Sequence, residues 1–277
     1  MDSYETILLK IDSGIGFLTL NRPEKRNALN PLMHREMNLA LDHLINDESV
    51  RVVVLTGAGR DFCSGNDLKE FFMDQYQSNP LQFRRSSAQF AGWREKLRTC
   101  PKPTIAAVNG WCLGGGLSVI CVCDFAIAAD DAKFGLPEVN FGIFAAGGAT
   151  KGPIELLSHR DALDLLLTGR NLSAAEASQL RLINRSVPAA TLTDECMKLA
   201  NELIKKDPVT LMMAKEAFWR EKEMNYQTAL EYENGKMREL NFLQGGKWAS
   251  QGIPRFLDKQ YKTAERSFTE VPDKKSR

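Results

Sequence analysis

Apolar and polar residues alternate from Glu5 to Leu20 on either side of Asp12-Ser13-Gly14, and a period of two around a turn triplet predicts a β-hairpin. Asn30-Pro31 then opens a helix, because proline suits the first helical position; Leu32, Met37, Leu39, Leu41 and Leu44 are read as its apolar side. The run Val52 to Leu55 predicts a buried strand, broken into a loop by the glycines of TGAGRDFCSGND. Leu68 to Arg98 is polar and helix-compatible, and Pro101 and Pro103 precede a strand from Thr104 to Val108. Asn109 to Gly116 reads as a glycine-rich turn feeding a helix through Cys123. Short strands follow at Phe125 to Ala128 and near Lys133-Phe134.

From Ser173 the pattern turns helical, over Ala174 to Leu180, Leu192 to Lys206, Pro208 to Lys222 and Tyr226 to Leu243, with one strand near Leu182 to Val187. Alternating strands and helices predict an α/β fold with a parallel core. The expected division is a core over residues 1–200 and a helical oligomerisation region over 201–277. In that region Ala214, Ala217, Phe218, Leu230 and Met237 form apolar faces with little core left to cover. Thr269 to Arg277 is expected to fray.

Composition narrows the function classes. Apolar residues at 43% and charged residues at 26% are ordinary for a globular protein, and a net charge of +1 gives no general attraction to nucleic acid or an acidic membrane. No apolar run is long enough for a membrane span, and MDSYETILLK lacks a signal-peptide pattern, so a cytoplasmic location is expected. The six cysteines include no CxxC pair and only three histidines accompany them, so no metal site is expected; Cys121 and Cys123 read as reduced packing residues. His34, His43 and His159 read as structural or solvated. GxSxG, GxxxxGK[ST] and GxGxxG motifs are absent, which removes serine-hydrolase, P-loop and Rossmann readings.

Three segments carry candidate chemistry. In FCSGNDLKEF, Phe62 to Phe71, the chain passes through Ser64-Gly65 into a helix beginning near Asp67, a turn that leaves N–H groups unpaired. In VNGWCLGGGLS, Val108 to Ser118, three glycines end a loop at a helix start, where N–H groups favour negative charge. Two such donors meeting at one point would form an oxyanion hole for a thioester enolate. In FGLPEVNFG, Phe134 to Gly142, Glu138 stands among Leu136, Val139 and Phe141, surroundings that should raise its pKa toward acid/base use.

Together with LNRPEKRNAL at Leu20 to Leu29 and LLLTGRNLSAAEA downstream, these motifs resemble the crotonase (enoyl-CoA hydratase/isomerase) superfamily from about Tyr4 to Lys262. The resemblance implies a spiral of ββα turns, a C-terminal helical trimerisation region, and a homotrimer or a hexamer of paired trimers. It implies an acyl-CoA thioester as substrate, with CoA part of that substrate and no separate cofactor. It places the oxyanion donors on the N–H groups of Asn66 and Gly115, beside Gly114, and acid/base work on Glu138. Lys25 and Arg26 would lie near the CoA phosphates, with Ser64, Asp67 and Leu68 along the CoA path and Phe256 and Lys259 over the adenine. Phe71, Phe141 and Phe144 would line an apolar acyl pocket.

Two departures bear on the reaction. The two-carboxylate hydratases carry a glutamate where this chain has Ser118, so Glu138 is left as the sole acid/base. VNGWC-x-GGG-x-S, NRPEKRNA and DLKE are most similar to the hydroxycinnamoyl-CoA hydratase-lyases. In those enzymes two tyrosines serve the substrate phenol, where Phe71 and Asn234 stand here. A non-catalytic binding protein of the same fold is the competing reading; near-neutral charge and the retained Glu138 speak against it.

Overall fold

The computed structural model describes residues 4–74 and 80–258. Its strands are β1 (Ile7–Asp12), β2 (Ile15–Leu20), β3 (Val52–Gly57), β4 (Thr104–Val108), β5 (Trp111–Leu113), β6 (Phe125–Ala129), β7 (Lys133–Gly135), β8 (Asn171–Ser173) and β9 (Arg185–Val187). Six of them form one sheet in the order β1-β2-β3-β4-β6-β9, and the others form a small sheet β5-β7-β8. The hairpin β1-β2 is antiparallel and every later pair of the large sheet is parallel. From β4 to β7 successive strands step from the large sheet to the small one and back, so the chain advances as a spiral.

The apolar run of β3 is continuous because both of its faces are covered. Val53 and Leu55 join the core under the helix Pro31–Asn46, while Val52 and Val54 pack with Ile105 and Ile127 beneath Leu192, Cys196 and Ala200 of the helix Leu192–Ile204. A strand buried on both faces does not alternate. The helix Pro31–Asn46 is capped by Asn30, whose Oδ1 accepts from Met33 N at 2.8 Å. Met33, Met37, Leu41 and Leu44 are buried on one face of it.

Several expected elements differ in detail. Leu39 points outward, 60% exposed, because the buried stripe runs through Met33, Met37, Ala40, Leu41 and Leu44 at helical spacing. The glycine-rich turn contains β5, whose three residues pair with β7. The helix after it covers only Gly115–Ile120, and Cys121 to Asp124 turn directly into β6. The helices Lys151–Leu156 and His159–Thr168 and the strand β8 occupy a stretch for which no element was predicted.

The long helices Pro208–Glu221 and Tyr226–Gln244 pack along each other at the C-terminal side. Phe218, Met237 and Phe242 are exposed on them. All six cysteines are free and buried, and burial pushes the Cys63 and Cys123 thiols up to about 12. Among the described residues no His/Cys/Asp/Glu cluster could hold a metal, and no helix is long and apolar enough to cross a membrane.

Candidate active site

Two backbone segments meet at the glycines. A parallel bridge joins Leu29 to Asn66, through Leu29 N to Gly65 O at 2.8 Å and Asp67 N to Leu29 O at 2.9 Å. A second joins Cys63 to Cys112. These bridges press the Gly65-Asn66 turn against Gly114-Gly115. A Cβ built on Gly115 would lie 3.4 Å from Asn66 N, and one on Gly65 would lie 3.3 Å from Gly115 N. Gly114 N donates to Gly135 O and Ser118 N to Gly114 O, while the N–H groups of Asn66 and Gly115 have no protein acceptor among the described residues.

Glu138 lies over the same turn, on the 3-10 helix Pro137–Phe141. Gly114 has φ 50°, a left-handed conformation, and a Cβ there would stand 2.8 Å from Glu138 Oε1. Any side chain at 114 would therefore be strained and would push the carboxylate away. Glu138 Oε2 is buried and makes no hydrogen bond. Burial raises the Glu138 carboxyl above the ordinary glutamate range, against a smaller lowering by its own backbone N–H. Of the flanking apolar residues expected to surround it, Leu136 is buried, but Val139 is exposed and Phe141 is 61% exposed. It is the glycine turn that the carboxylate faces.

A charged network holds the turn from behind. The Arg22 guanidinium is buried and reaches Asp67 at 3.0 Å, Glu70 at 2.8 Å and the Ala28 carbonyl at 2.7 Å. Asp67 accepts from Lys69 N and Glu70 N at the start of the π-helical turn Leu68–Met73. Burial alone would raise the Asp67 carboxyl, but the Glu70 N–H and the Arg22 guanidinium outweigh it and hold the group below the usual range. Asn30 adds a bond from Nδ2 to Glu70 at 2.7 Å. Removing one member of such a buried pair costs about 3 to 5 kcal/mol.

The other expected residues are placed as follows. Lys25 and Arg26 are exposed beside Ser64: Ser64 N donates to Arg26 O at 3.0 Å and Ser64 Oγ to Lys25 O at 3.4 Å. Leu68, four residues after Ser64, is exposed. Phe71 is buried, edge-on to His34 at 5.4 Å and to Phe72 at 5.2 Å. Phe144 is 77% exposed. Asn234 is exposed on Tyr226–Gln244, Phe256 lies on the short helix Ile253–Leu257, and Lys259 falls outside the described residues.

Ser118 is buried and fully engaged, its Oγ donating to Gly115 O at 2.7 Å and accepting from Arg94 at 2.9 Å. Arg22 and Arg94 were both missed in the sequence. Arg22 lies inside the NRPEKRNAL motif and could have been singled out as its one arginine next to a proline; Arg94 lies in a polar helix without any motif. His34 is buried and accepts from Trp93 Nε1 at 3.0 Å, and burial, helped by the Arg94 charge, pushes it down to about 3. It is a neutral structural group.

Comparison with known proteins gives the family. The family model described as "Enoyl-CoA hydratase/isomerase" matches residues 10–264. The chain is 39% identical to a hydroxycinnamoyl-CoA hydratase-lyase of Pseudomonas fluorescens, over 93% of this chain and 95% of that one. It is 35% identical to a probable enoyl-CoA hydratase of Rhizobium meliloti (strain 1021), over 93% and 97%. Among solved structures it is similar to an enoyl-CoA hydratase of Mycobacterium smegmatis, with a TM-score of 0.85 at 30% identity over 92% and 97% of the two chains.

The raised carboxyl of Glu138 has a consequence for stability. Above the ordinary glutamate range the folded protein must carry an ionised group in surroundings that favour the neutral form, so stability is withheld there; it returns as pH falls through the raised folded value to the ordinary one. Glu138→Gln should therefore raise the thermal midpoint near pH 7, with the gain gone below about pH 4. Equal midpoints at every pH would show a solvated carboxylate.

Proposed function

Because the chain belongs to the enoyl-CoA hydratase/isomerase family, we propose that this enzyme acts on an enoyl-CoA thioester through an enolate, with Glu138 as its only acid/base group. The observation that carries the reading is the carboxylate of Glu138 over Gly114, next to the uncommitted N–H groups of Asn66 and Gly115. In this reading the thioester oxygen accepts from both N–H groups, and each donor contributes about 3 to 4 kcal/mol once negative charge builds on that oxygen.

Hydration then balances on one carboxylate. Glu138 takes a proton from water while the water oxygen bonds to the β-carbon, and the electron pair of the double bond moves to the thioester as an enolate. The protonated Glu138 returns the proton to the α-carbon and the carbonyl reforms. Isomerisation uses the same group, taking a proton from one carbon and returning it to another. A carboxyl that burial raises above the ordinary glutamate range suits both, since it holds the proton more readily between the two steps than a solvated carboxylate does. Ser118, bonded to Gly115 O and Arg94, is committed to holding the glycine turn.

Glu138→Gln should lower turnover of crotonyl-CoA by at least about 100-fold with CoA-ester binding retained, and Ser118→Ala should cost much less. Steady-state hydration followed at the enoyl absorbance, with ligand titration, separates the two effects. A near-normal rate in Glu138→Gln would end the assignment.

Cleavage of hydroxycinnamoyl-CoA is the second reading, favoured by the identity to the Pseudomonas fluorescens hydratase-lyase. A phenylalanine cannot bond a phenol, and Phe71 is packed against His34 and Phe72. Vanillin release from feruloyl-CoA should therefore be far slower than hydration of a simple enoyl-CoA; comparable rates would reverse the order of the two readings.

The exposed apolar residues Phe218, Met237 and Phe242 on the C-terminal helix pair support a closed trimer, alone or paired as a hexamer. Light scattering at micromolar concentration should give a multiple of three chains, and a monomer would contradict it.

A further inference from the structure

Asn66 carries an amide side chain that its backbone role does not call for. A backbone N–H is present on every residue except proline, so donating to the thioester oxygen requires no asparagine. The ordinary structural uses of asparagine are missing as well. Asn27 takes a left-handed conformation, φ 55°, accepts from Arg22 N and donates to Ala58 O and Asp61 O; Asn30 caps the helix Pro31–Asn46. Asn66 has no positive φ, and the π-helical turn Leu68–Met73 is capped by Asp67 instead.

The amide is therefore left over. Oδ1 is closed off against Gly115, 3.3 Å from where a Cβ there would stand, and has no hydrogen-bond partner. Nδ2 likewise makes no hydrogen bond among the described residues, but it is not shut in, and the residue is partly exposed. The side chains nearest the Cβ positions of Gly114 and Gly115 are those of Glu138, Asn66 and Leu29, so the polar groups against these two consecutive residues are the carboxylate and the amide. Ser118 offers no alternative, because its hydroxyl is held by Gly115 O and Arg94. In hydration the oxygen that enters at C3 gives its proton to Glu138, which holds that oxygen at one point only. The backbone and side-chain nitrogens of an asparagine are separated by as many covalent bonds as a thioester oxygen and an oxygen on C3 of the same acyl chain. A residue whose N–H takes the first oxygen thus has the reach for its amide to take the second.

We propose that Asn66 is a catalytic residue through its side chain, with Nδ2 donating to the oxygen at C3 while its backbone N–H donates to the thioester. In addition, Nδ2 holds the water oxygen through one lone pair and a second pair forms the bond to C3. The water proton passes to Glu138, and the π electrons of the double bond move to the thioester oxygen. In elimination Nδ2 stays with the hydroxyl oxygen as its bond to C3 breaks and Glu138, carrying the proton taken from the α-carbon, protonates it. Nδ2 keeps its own protons throughout. This role rests on the thioester reading above and selects, within it, hydration and dehydration of a 3-hydroxyacyl-CoA over isomerisation.

Binding to Glu138→Gln, in which the hydroxy ester is not consumed, isolates the contact. By isothermal titration calorimetry that variant should bind racemic 3-hydroxybutyryl-CoA at least about fivefold more tightly than butyryl-CoA, as one hydrogen bond should give. Adding Asn66→Ala should bring the ratio to within about twofold of unity, whereas a disturbed turn would weaken both esters alike and leave the ratio unchanged. Asn66→Leu, of similar size and without a donor, serves if the alanine variant does not fold. With Glu138 intact, Asn66→Ala should lower kcat for crotonyl-CoA hydration at least about tenfold and keep KM within about threefold, because crotonyl-CoA has no oxygen at C3. A ratio near one in Glu138→Gln, or a ratio that survives loss of the amide, overturns the proposal. A ratio that collapses with the amide in an enzyme that hydrates no enoyl-CoA would instead sustain Asn66 as the contact to the C3 oxygen and remove the hydratase reading on which its catalytic part rests.

Discussion

The close approach of two backbone segments, Gly65-Asn66 and Gly114-Gly115, is the constraint around which the rest of the molecule is arranged. Backbones come this near only where side chains are missing between them, and they stay there only if their other hydrogen bonds are satisfied elsewhere. Both conditions are met. The bridges from Leu29 to Asn66 and from Cys63 to Cys112 tie each segment to a neighbour on its far side, and Gly114 N–H is taken by Gly135. What remains are the N–H groups of Asn66 and Gly115, in contact with each other's residues and committed to no protein acceptor among the described residues.

Charge around the turn is divided between structure and chemistry. The Arg22, Asp67 and Glu70 network is internally neutralised apart from one surplus acid on a partly exposed side chain, and it acts as a rigid backing. Among the described residues neither Glu138 nor Arg94 has an ion-pair partner within contact distance. Burial drives them in opposite directions, raising the acid and lowering the base. Ser118, between Arg94 and Gly115, passes no charge; it fixes the distance between the cation and the turn.

The covered strands show the same economy in the fold. Because β3 and β4 are buried on both faces, their pairing in parallel register fixes where the loops after them emerge, and those loops carry Ser64 to Asp67 and Asn109 to Gly116. The helix Pro80–Arg98 packs against Pro31–Asn46, setting Phe90 and Trp93 against His34 and bringing Arg94 to Ser118 behind the turn.

The amino-acid sequence by itself determined the hairpin, the parallel α/β class, most helices, and the motifs holding Asn66, Gly115 and Glu138, because these depend on local periodicity, turn chemistry and glycine placement. It also marked Ser118 as a departure at a chemically important place. The tertiary structure alone decided that the two glycine segments touch, that the Glu138 carboxylate faces Gly114 rather than its apolar sequence neighbours, and that Phe141 and Phe144 are exposed in the chain. It alone distinguished Arg22 from Arg94, one buried against two carboxylates and the other without an ion-pair partner among the described residues. Arg22 stands inside a motif and Arg94 outside any, yet neither is marked by its neighbours, because a charge acquires its meaning from partners brought near by strands and helices distant in sequence.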